Sequence, residues 1–188
     1  MEAIPVIETE RLILRGHRLE DLGGCITMWS DPAVTRFIGG KPSTEQQTWM
    51  RMLGYLGHWS LMKFGYWAIE HRQTASFAGE LGFADFKRDL APSMKSAPEL
   101  GWVLASQFHG QGLATEAVRA AVAWGDTHFA SPRTVCMIDP DNLASIRVAR
   151  KCGYEVFERA SYHDRPALFF SRMAAKGFEA PPFGDKTA

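Results

Sequence analysis

Gln107-Phe108-His109-Gly110-Gln111-Gly112-Leu113-Ala114 stands between an apolar stretch, Glu99-Leu100-Gly101-Trp102-Val103-Leu104-Ala105, and the most regular helical pattern in the chain. Two glycines separated by one residue let successive backbone N–H groups turn toward a common point. A helix starting at once adds its unsatisfied N–H groups and the positive end of its dipole. Such a turn holds an anion, above all a phosphate or pyrophosphate, without a large positive side chain. It also serves as an ordinary tight turn, and the octapeptide alone leaves both readings open.

Working outward, Ala114, Ala117, Val118, Ala121 and Val122 recur at i, i+3, i+4, i+7 and i+8, one buried stripe of a helix from Leu113 to Phe129. The preceding stretch from Glu99 reads as a strand. Thr134-Val135-Cys136-Met137-Ile138 reads as another, followed by a helix with Asn142 at its cap and Gly153 past its end. Upstream, Thr9 to Arg15 is a first strand, Glu20 to Trp29 a short helix closed by the turn pair Asp31-Pro32, and Ser43 opens a helix with Gln46 three residues on. That helix carries Trp49, Met52, Leu53, Leu56 and Trp59. Tyr66 to Glu70 and Ser76 to Phe86 form a hairpin, Arg88 to Pro98 a loop, and Tyr154 to Arg159 and Ala167 to Met173 closing strands. Hairpins mixed with crossover helices predict an α+β fold, one mixed and mostly antiparallel twisted sheet flanked by helices. Residues 1–175 form this single domain, and 176–188, with Pro181-Pro182 and Gly184, a loose tail.

Composition limits what the anion site can serve. The 188 residues carry 21 Lys+Arg against 21 Asp+Glu, which disfavours a general nucleic-acid or anionic-membrane partner. No apolar run approaches the roughly 18 residues of a membrane span, and the acidic N-terminus is not a secretory signal. Three widely spaced cysteines, Cys25, Cys136 and Cys152, form no C-x-x-C pair, so a reducing, cytoplasmic setting is expected. Six scattered histidines lack ligand spacing, and no metal is expected. Trp49, Trp59, Trp67, Phe64 and Tyr66 read as core by helical spacing, with an acceptor-pocket lining as the alternative.

Three phosphate chemistries compete for the glycine turn. A P-loop needs G-x-x-x-x-G-K-[ST], which is absent. A dinucleotide fingerprint needs G-x-G-x-x-G, but Thr115 replaces the third glycine, so an NAD(P)-binding oxidoreductase using Asp139 as ribose acid is the runner-up. The third is a resemblance. Gln107-x-x-Gly110-x-Gly112-x-Ala114 resembles the [QR]-x-x-G-x-[GA] motif of the GNAT superfamily of acetyl-coenzyme A-dependent N-acetyltransferases. Thr9-Glu10-Arg11-Leu12-x-Leu14-Arg15, the strand from Glu99 to Leu104, and Asn142-x-x-Ser145 followed by Lys151-Cys152-Gly153-Tyr154 resemble further family segments in the same order. The set spans residues 8–173 and is most similar to the RimJ/RimL-type branch, which acetylates protein N-termini, small amines and aminoglycosides.

The resemblance implies a GNAT-like domain and acetyl-coenzyme A as co-substrate. It implies that Gln107, Gly110, Gln111, Gly112, Leu113, Ala114 and Thr115 hold the pyrophosphate. The pantetheine arm would pair along Val103 and Leu104, and Asn142 would touch the cofactor. Direct acetyl transfer to an amine requires no covalent nucleophile, only alignment, a proton acceptor and a proton donor for the leaving thiolate. Glu99 is the candidate base and Ser145 the candidate donor, with Tyr154 the nearby phenol. The acceptor is a protein N-terminus or a small-molecule amine, a homodimer is common in the family, and a non-catalytic coenzyme A-binding protein is the remaining alternative.

Overall fold

In the computed structural model, residues 3–89, 94 and 97–174 are described. The chain runs β1 (Ile7–Glu8), β2 (Leu12–Arg15), α1 (Leu22–Ser30), α2 (Pro32–Thr35), α3 (Glu45–Met62), β3 (Tyr66–His71), β4 (Ser76–Ala84) and β5 (Glu99–Leu104). It continues through α4 (Leu113–His128), β6 (Arg133–Ile138), α5 (Leu143–Lys151), β7 (Glu155–Tyr162) and β8 (Arg165–Met173). One eight-stranded sheet in the order β1-β2-β3-β4-β5-β6-β8-β7 is antiparallel at every step except β5–β6. This is the expected α+β architecture. The tail expected over 176–188 lies outside the described residues.

Local chemistry explains most elements, and tertiary contacts shift several of their ends. The first strand is broken: Thr9 N–H donates to Leu12 C=O at 2.9 Å, so Thr9 to Arg11 turn between β1 and β2. Asp31-Pro32 closes α1, with Asp31 as its C-cap, and also starts the next helix. The Asp31 carboxylate accepts the Ala33 N–H at 2.8 Å, and Pro32 takes the first helical position, where no N–H is needed. The cap of α3 is Thr44, not Ser43, in a reciprocal box with Gln47. Thr48, Met52, Tyr55 and Trp59 form the buried face of α3, whereas Leu53 is exposed. On α4 the predicted stripe is buried at Ala117, Val118, Ala121 and Val122. It packs with Leu12, Leu14, Trp67, Ile69, Leu81, Phe83 and Leu100 in one core. Trp59, Trp67 and Trp124 meet edge to face there, at 4.9 to 5.8 Å between ring centres.

Two features of the sheet matter for function. β5 and β6, the parallel pair, share only Glu99–Val135, while β4 pairs with β5 along its whole length, from Ala84–Glu99 to Gly79–Leu104. Beyond Glu99, β5 therefore has an open edge toward β6. The second feature is Glu80, buried in the middle of β4. It accepts from Trp29 Nε1 at 2.9 Å, and from the Tyr55 hydroxyl, the Cys25 thiol and His17 Nε2 at 3.3 Å each. His17, Cys25 and Glu80 have ligand atoms within 4.8 Å of one another. Burial and the Glu80 charge push the Cys25 thiol well up, and the four contacts make a hydrogen-bonded hub around one carboxylate.

Candidate active site

The glycine turn is built as its sequence requires. Gly110 and Gly112 have φ of 76° and 79°, in the left-handed region where a side chain is strained. Gly112 caps α4 with no side-chain acceptor, leaving the first N–H groups of that helix free of protein side chains at the cap. Neighbours hold the turn from several directions. Gln111 Nε2 donates to Gln107 C=O at 2.9 Å, His109 Nε2 to Leu104 C=O at 2.8 Å, and Arg11 Nη1 to Gln111 C=O at 2.9 Å. Leu113 points into the core, so only its backbone is available to a ligand.

The Thr9-Glu10-Arg11 turn has a purpose visible only in three dimensions. Thr9 Oγ1 and the Arg11 N–H donate to Glu116 Oε1 at 2.7 and 2.8 Å, and Arg11 Nε to Oε2 at 2.7 Å. The N-terminal turn thus clamps the start of α4. Burial opposes ionisation of Glu116, but these bonds outweigh it and hold its pKa below the ordinary 4.5. The clamp's contribution to stability is complete above about pH 4.5 and is lost as pH falls through the lower folded value. Thermal unfolding of Glu116→Gln and the parent should show a gap at neutral pH that closes toward about pH 3. A gap that stays constant with pH would exclude this linkage.

On β5 the pairing geometry is specific. Ala105 N–H donates to Ala78 C=O at 2.9 Å, and a side chain on Gly79 would collide with the Val103 carbonyl. The main-chain groups of Val103 and Ala105 therefore face β4, and alternation turns those of Trp102 and Leu104 to the open edge. With the Leu104 carbonyl taken by His109, the Trp102 N–H and C=O and the Leu104 N–H remain. The open backbone groups at this edge are thus those of Trp102 and Leu104, not those expected at Val103, which lines a cavity instead.

That cavity, about 780 Å³, brings Glu99, Val103, Asn142 and Ser145 into one space; Leu104 and the residues from Gln107 to Thr115 do not line it. Asn142 Oδ1 accepts the Ser145 N–H at 3.1 Å, the expected cap. The Ser145 hydroxyl has no hydrogen-bond partner among the described residues. Tyr154 lies in the core, its hydroxyl 2.8 Å from Thr134 Oγ1 and its pKa raised by burial, outside the cavity. Glu99 is tied to Arg88, whose Nε and Nη2 donate to its two oxygens at 2.8 and 3.1 Å. Arg88 Nη1 also donates to the Tyr162 hydroxyl at 2.6 Å.

Other cavity residues had no local signal in the sequence, apart from Tyr66, for which a pocket lining was the alternative to core. Arg51 and Tyr55 come from α3, Tyr66 from β3, and Tyr162, His163 and Arg165 from the β7–β8 hairpin. Burial pushes the Tyr66 phenol up, reinforced by the charge of Glu99, so it keeps its proton at neutral pH. The ring lies against Gly101, where any side chain would strike its hydroxyl. His58 is committed: Nδ1 donates to Phe64 C=O at 2.8 Å and Nε2 accepts the Asp85 N–H at 3.0 Å. Trp59 and Trp67 are core, as their spacing predicts.

The dinucleotide reading loses its support here. Asp139 Oδ2 accepts from Arg165 and Oδ1 from the Asp141 N–H, each at 2.9 Å, so the expected ribose acid is already occupied. The glycine turn lies in the β5–α4–β6 unit, whose strands are parallel, but every other pairing of the sheet is antiparallel, unlike a doubly wound dinucleotide-binding sheet.

Comparison with known proteins agrees with this geometry. Residues 11–155 match the family model described as an acetyltransferase (GNAT) domain. An uncharacterized N-acetyltransferase, p20, of Bacillus licheniformis is 28% identical over 148 residues, 78% of this chain and 80% of the relative. The crystal structure of an acetyltransferase from Agrobacterium tumefaciens is 27% identical, covers 91% of this chain and 95% of its own, and superposes with a TM-score of 0.77. RimL, a ribosomal L7/L12 α-N-protein acetyltransferase solved with coenzyme A, shares the fold at 18% identity, covering 90% of this chain and 98% of its own with a TM-score of 0.74. With a glycine turn at a helix start, an open central strand and a family match over most of its length, the chain belongs to the GNAT acetyltransferase family.

Proposed function

We propose that this protein transfers an acetyl group directly from acetyl-coenzyme A to a primary amine, of a small molecule or a protein N-terminus, and that it works in the cytoplasm as a RimJ/RimL-type enzyme. The observation that carries the reading is the split between β5 and β6, with Glu99, Asn142 and Ser145 in the cavity it opens onto. The residues present fit acetyl-coenzyme A. Unpaired backbone groups of Trp102 and Leu104 suit an amide-bearing arm that adds as a strand. Backbone N–H groups from Gly110 to Thr115 suit the pyrophosphate, which explains how a chain of zero net charge accommodates a polyanion. Three buried free cysteines, Cys25, Cys136 and Cys152, are consistent with a reducing compartment.

Acetyl-coenzyme A supplies the acetyl group as a thioester that an amine attacks without an enzyme nucleophile. The chain has three tasks. The open edge aligns the two substrates, Glu99 takes the amine proton directly or through a water, and the free Ser145 hydroxyl donates toward the departing sulfur. Arg88 occupies only part of the Glu99 lone-pair capacity, since a carboxylate offers about four acceptor sites.

Release of free thiol from acetyl-coenzyme A should rise when amines are added. Acetyl-coenzyme A, and not NAD(P), should raise the melting temperature. Binding of acetyl-coenzyme A with no turnover of any amine or peptide N-terminus would leave a binding protein and sink the catalytic reading. The phosphate site has its own test. Nothing lies within 4 Å of a Cβ at Gly110, and both Asn and Asp tolerate left-handed φ. Gly110→Asp should therefore bind coenzyme A about tenfold more weakly than Gly110→Asn, because only the charge differs. Equal affinities measured by calorimetry would move the pyrophosphate elsewhere.

A further inference from the structure

The charges around the cavity do not cancel. Arg88 is matched by Glu99 and Arg165 by Asp139, at 2.8 and 2.9 Å. Arg51, on α3, lines the same cavity and has no ion-pair partner among the described residues. Its guanidinium carbon lies 3.8 Å from the centre of the Trp29 ring, its side chain also bonds to that of Tyr55, and its Nε is buried without a hydrogen-bond partner. The buried Glu80 makes no ion pair with it among the described residues. Glu80 does not line the cavity, and it already accepts from Trp29 Nε1 and the Tyr55 hydroxyl, two side chains that do. A guanidinium stacked on an indole is held flat, with its planar edge available to a ligand. The buried Nε is closed off from the cavity, so an acceptor group from a ligand would meet the terminal nitrogens of the guanidinium.

We propose that the acceptor carries a carboxylate beside its amine, as an amino acid or a close derivative, and that Arg51 receives that carboxylate. This rests on the N-acetyltransferase reading above and names its substrate class. Position supports a short molecule. Trp29, under Arg51, packs against Val103 in one cluster with Met28 and Val34, and Val103 belongs to β5, where the amine must meet the thioester. Trp29 thus touches both the side chain that would take the carboxylate and the strand where the amine reacts, which favours a short acceptor over an extended peptide. Phe37, Tyr55 and Phe86 offer apolar surface for its side chain. The same surplus of positive charge works against polycations, so spermidine should be a poor acceptor.

Thiol release with phenylalanine against phenethylamine, and leucine against isoamylamine, isolates the carboxylate once rates are corrected for the fraction of free amine. The parent should prefer the amino acid about tenfold or more in kcat/KM. Arg51→Gln should lower the amino-acid value about tenfold more than the amine value, with Arg51→Lys recovering part of the difference. Calorimetry of N-acetylphenylalanine against N-acetylphenethylamine, on the protein saturated with coenzyme A, tests the same contact without turnover. Preference of the parent for the simple amines or spermidine would overturn the proposal. So would equal loss for both members of a pair in Arg51→Gln, or turnover confined to peptides with acidic N-terminal residues. The two readings fail separately. Arg51-dependent binding of N-acetylphenylalanine without any thiol release supports the carboxylate site and removes the acetyl transfer. Thiol release without carboxylate preference does the reverse.

Discussion

Glu99→Gln lowers kcat/KM for an α-amine about a hundredfold at about pH 7 and less than about tenfold at about pH 9. The expectation follows from the state of the acceptor. An α-amine with a pKa of about 7.7–8 is mostly charged at the lower pH and must lose a proton before it attacks, whereas at the higher pH it is already free. A glutamine keeps the volume of the side chain and its place at the start of β5 but cannot take the proton. Arg88 stays held by the Tyr162 hydroxyl at 2.6 Å, so the cavity wall survives the substitution. The pH dependence separates two roles that one rate would confuse. A deficit of the same size at both pH values would make Glu99 only an anchor for Arg88, and no deficit at either would remove it from the reaction.

Glu80→Ala should cost about 3 kcal/mol or more of unfolding free energy, seen as a lower urea midpoint and a melting temperature reduced by roughly 10 °C. One substitution strips a buried acceptor from Trp29, Tyr55, Cys25 and His17 at once. Three of these contacts are long, at 3.3 Å, so the Trp29 bond at 2.9 Å carries the largest share. Glu80→Gln should cost about half as much, because an amide keeps one acceptor oxygen in place. The loss also reaches the cavity. Trp29 and Tyr55 form part of its wall, and Trp29 supports Arg51, so a variant that still folds should show weaker acceptor binding than coenzyme A binding. A cost for Glu80→Ala below about 1 kcal/mol would mean that water replaces the carboxylate and that the hub is not cohesive.

Several elements were legible because short-range chemistry decides them. The stripe on α4, the left-handed glycines before it, the β3–β4 hairpin and the Asn142 cap each depend on residues within one or two turns of chain. Other details depended on contacts that no local pattern reports. Ser43 and Thr44 are both hydroxyl residues with a glutamine three positions on. The Ser43 N–H is drawn to the Trp29 carbonyl at 2.8 Å, and the cap falls to Thr44. The first strand breaks at Thr9 to Arg11 because those residues bind Glu116, on a helix about a hundred positions away.

The sequence by itself determined the family resemblance, the left-handed glycine turn and the helix that follows it, since glycine conformation, helix capping and hydrophobic period are written in neighbouring residues. Only the tertiary structure decided which charges meet. A formal charge of zero hides three cavity arginines among the described residues, two ion-paired with carboxylates of other segments and one, Arg51, without an ion pair. Ion pairing depends on distances in space, and α3, β5, β6 and the β7–β8 hairpin approach one another only after the sheet has formed.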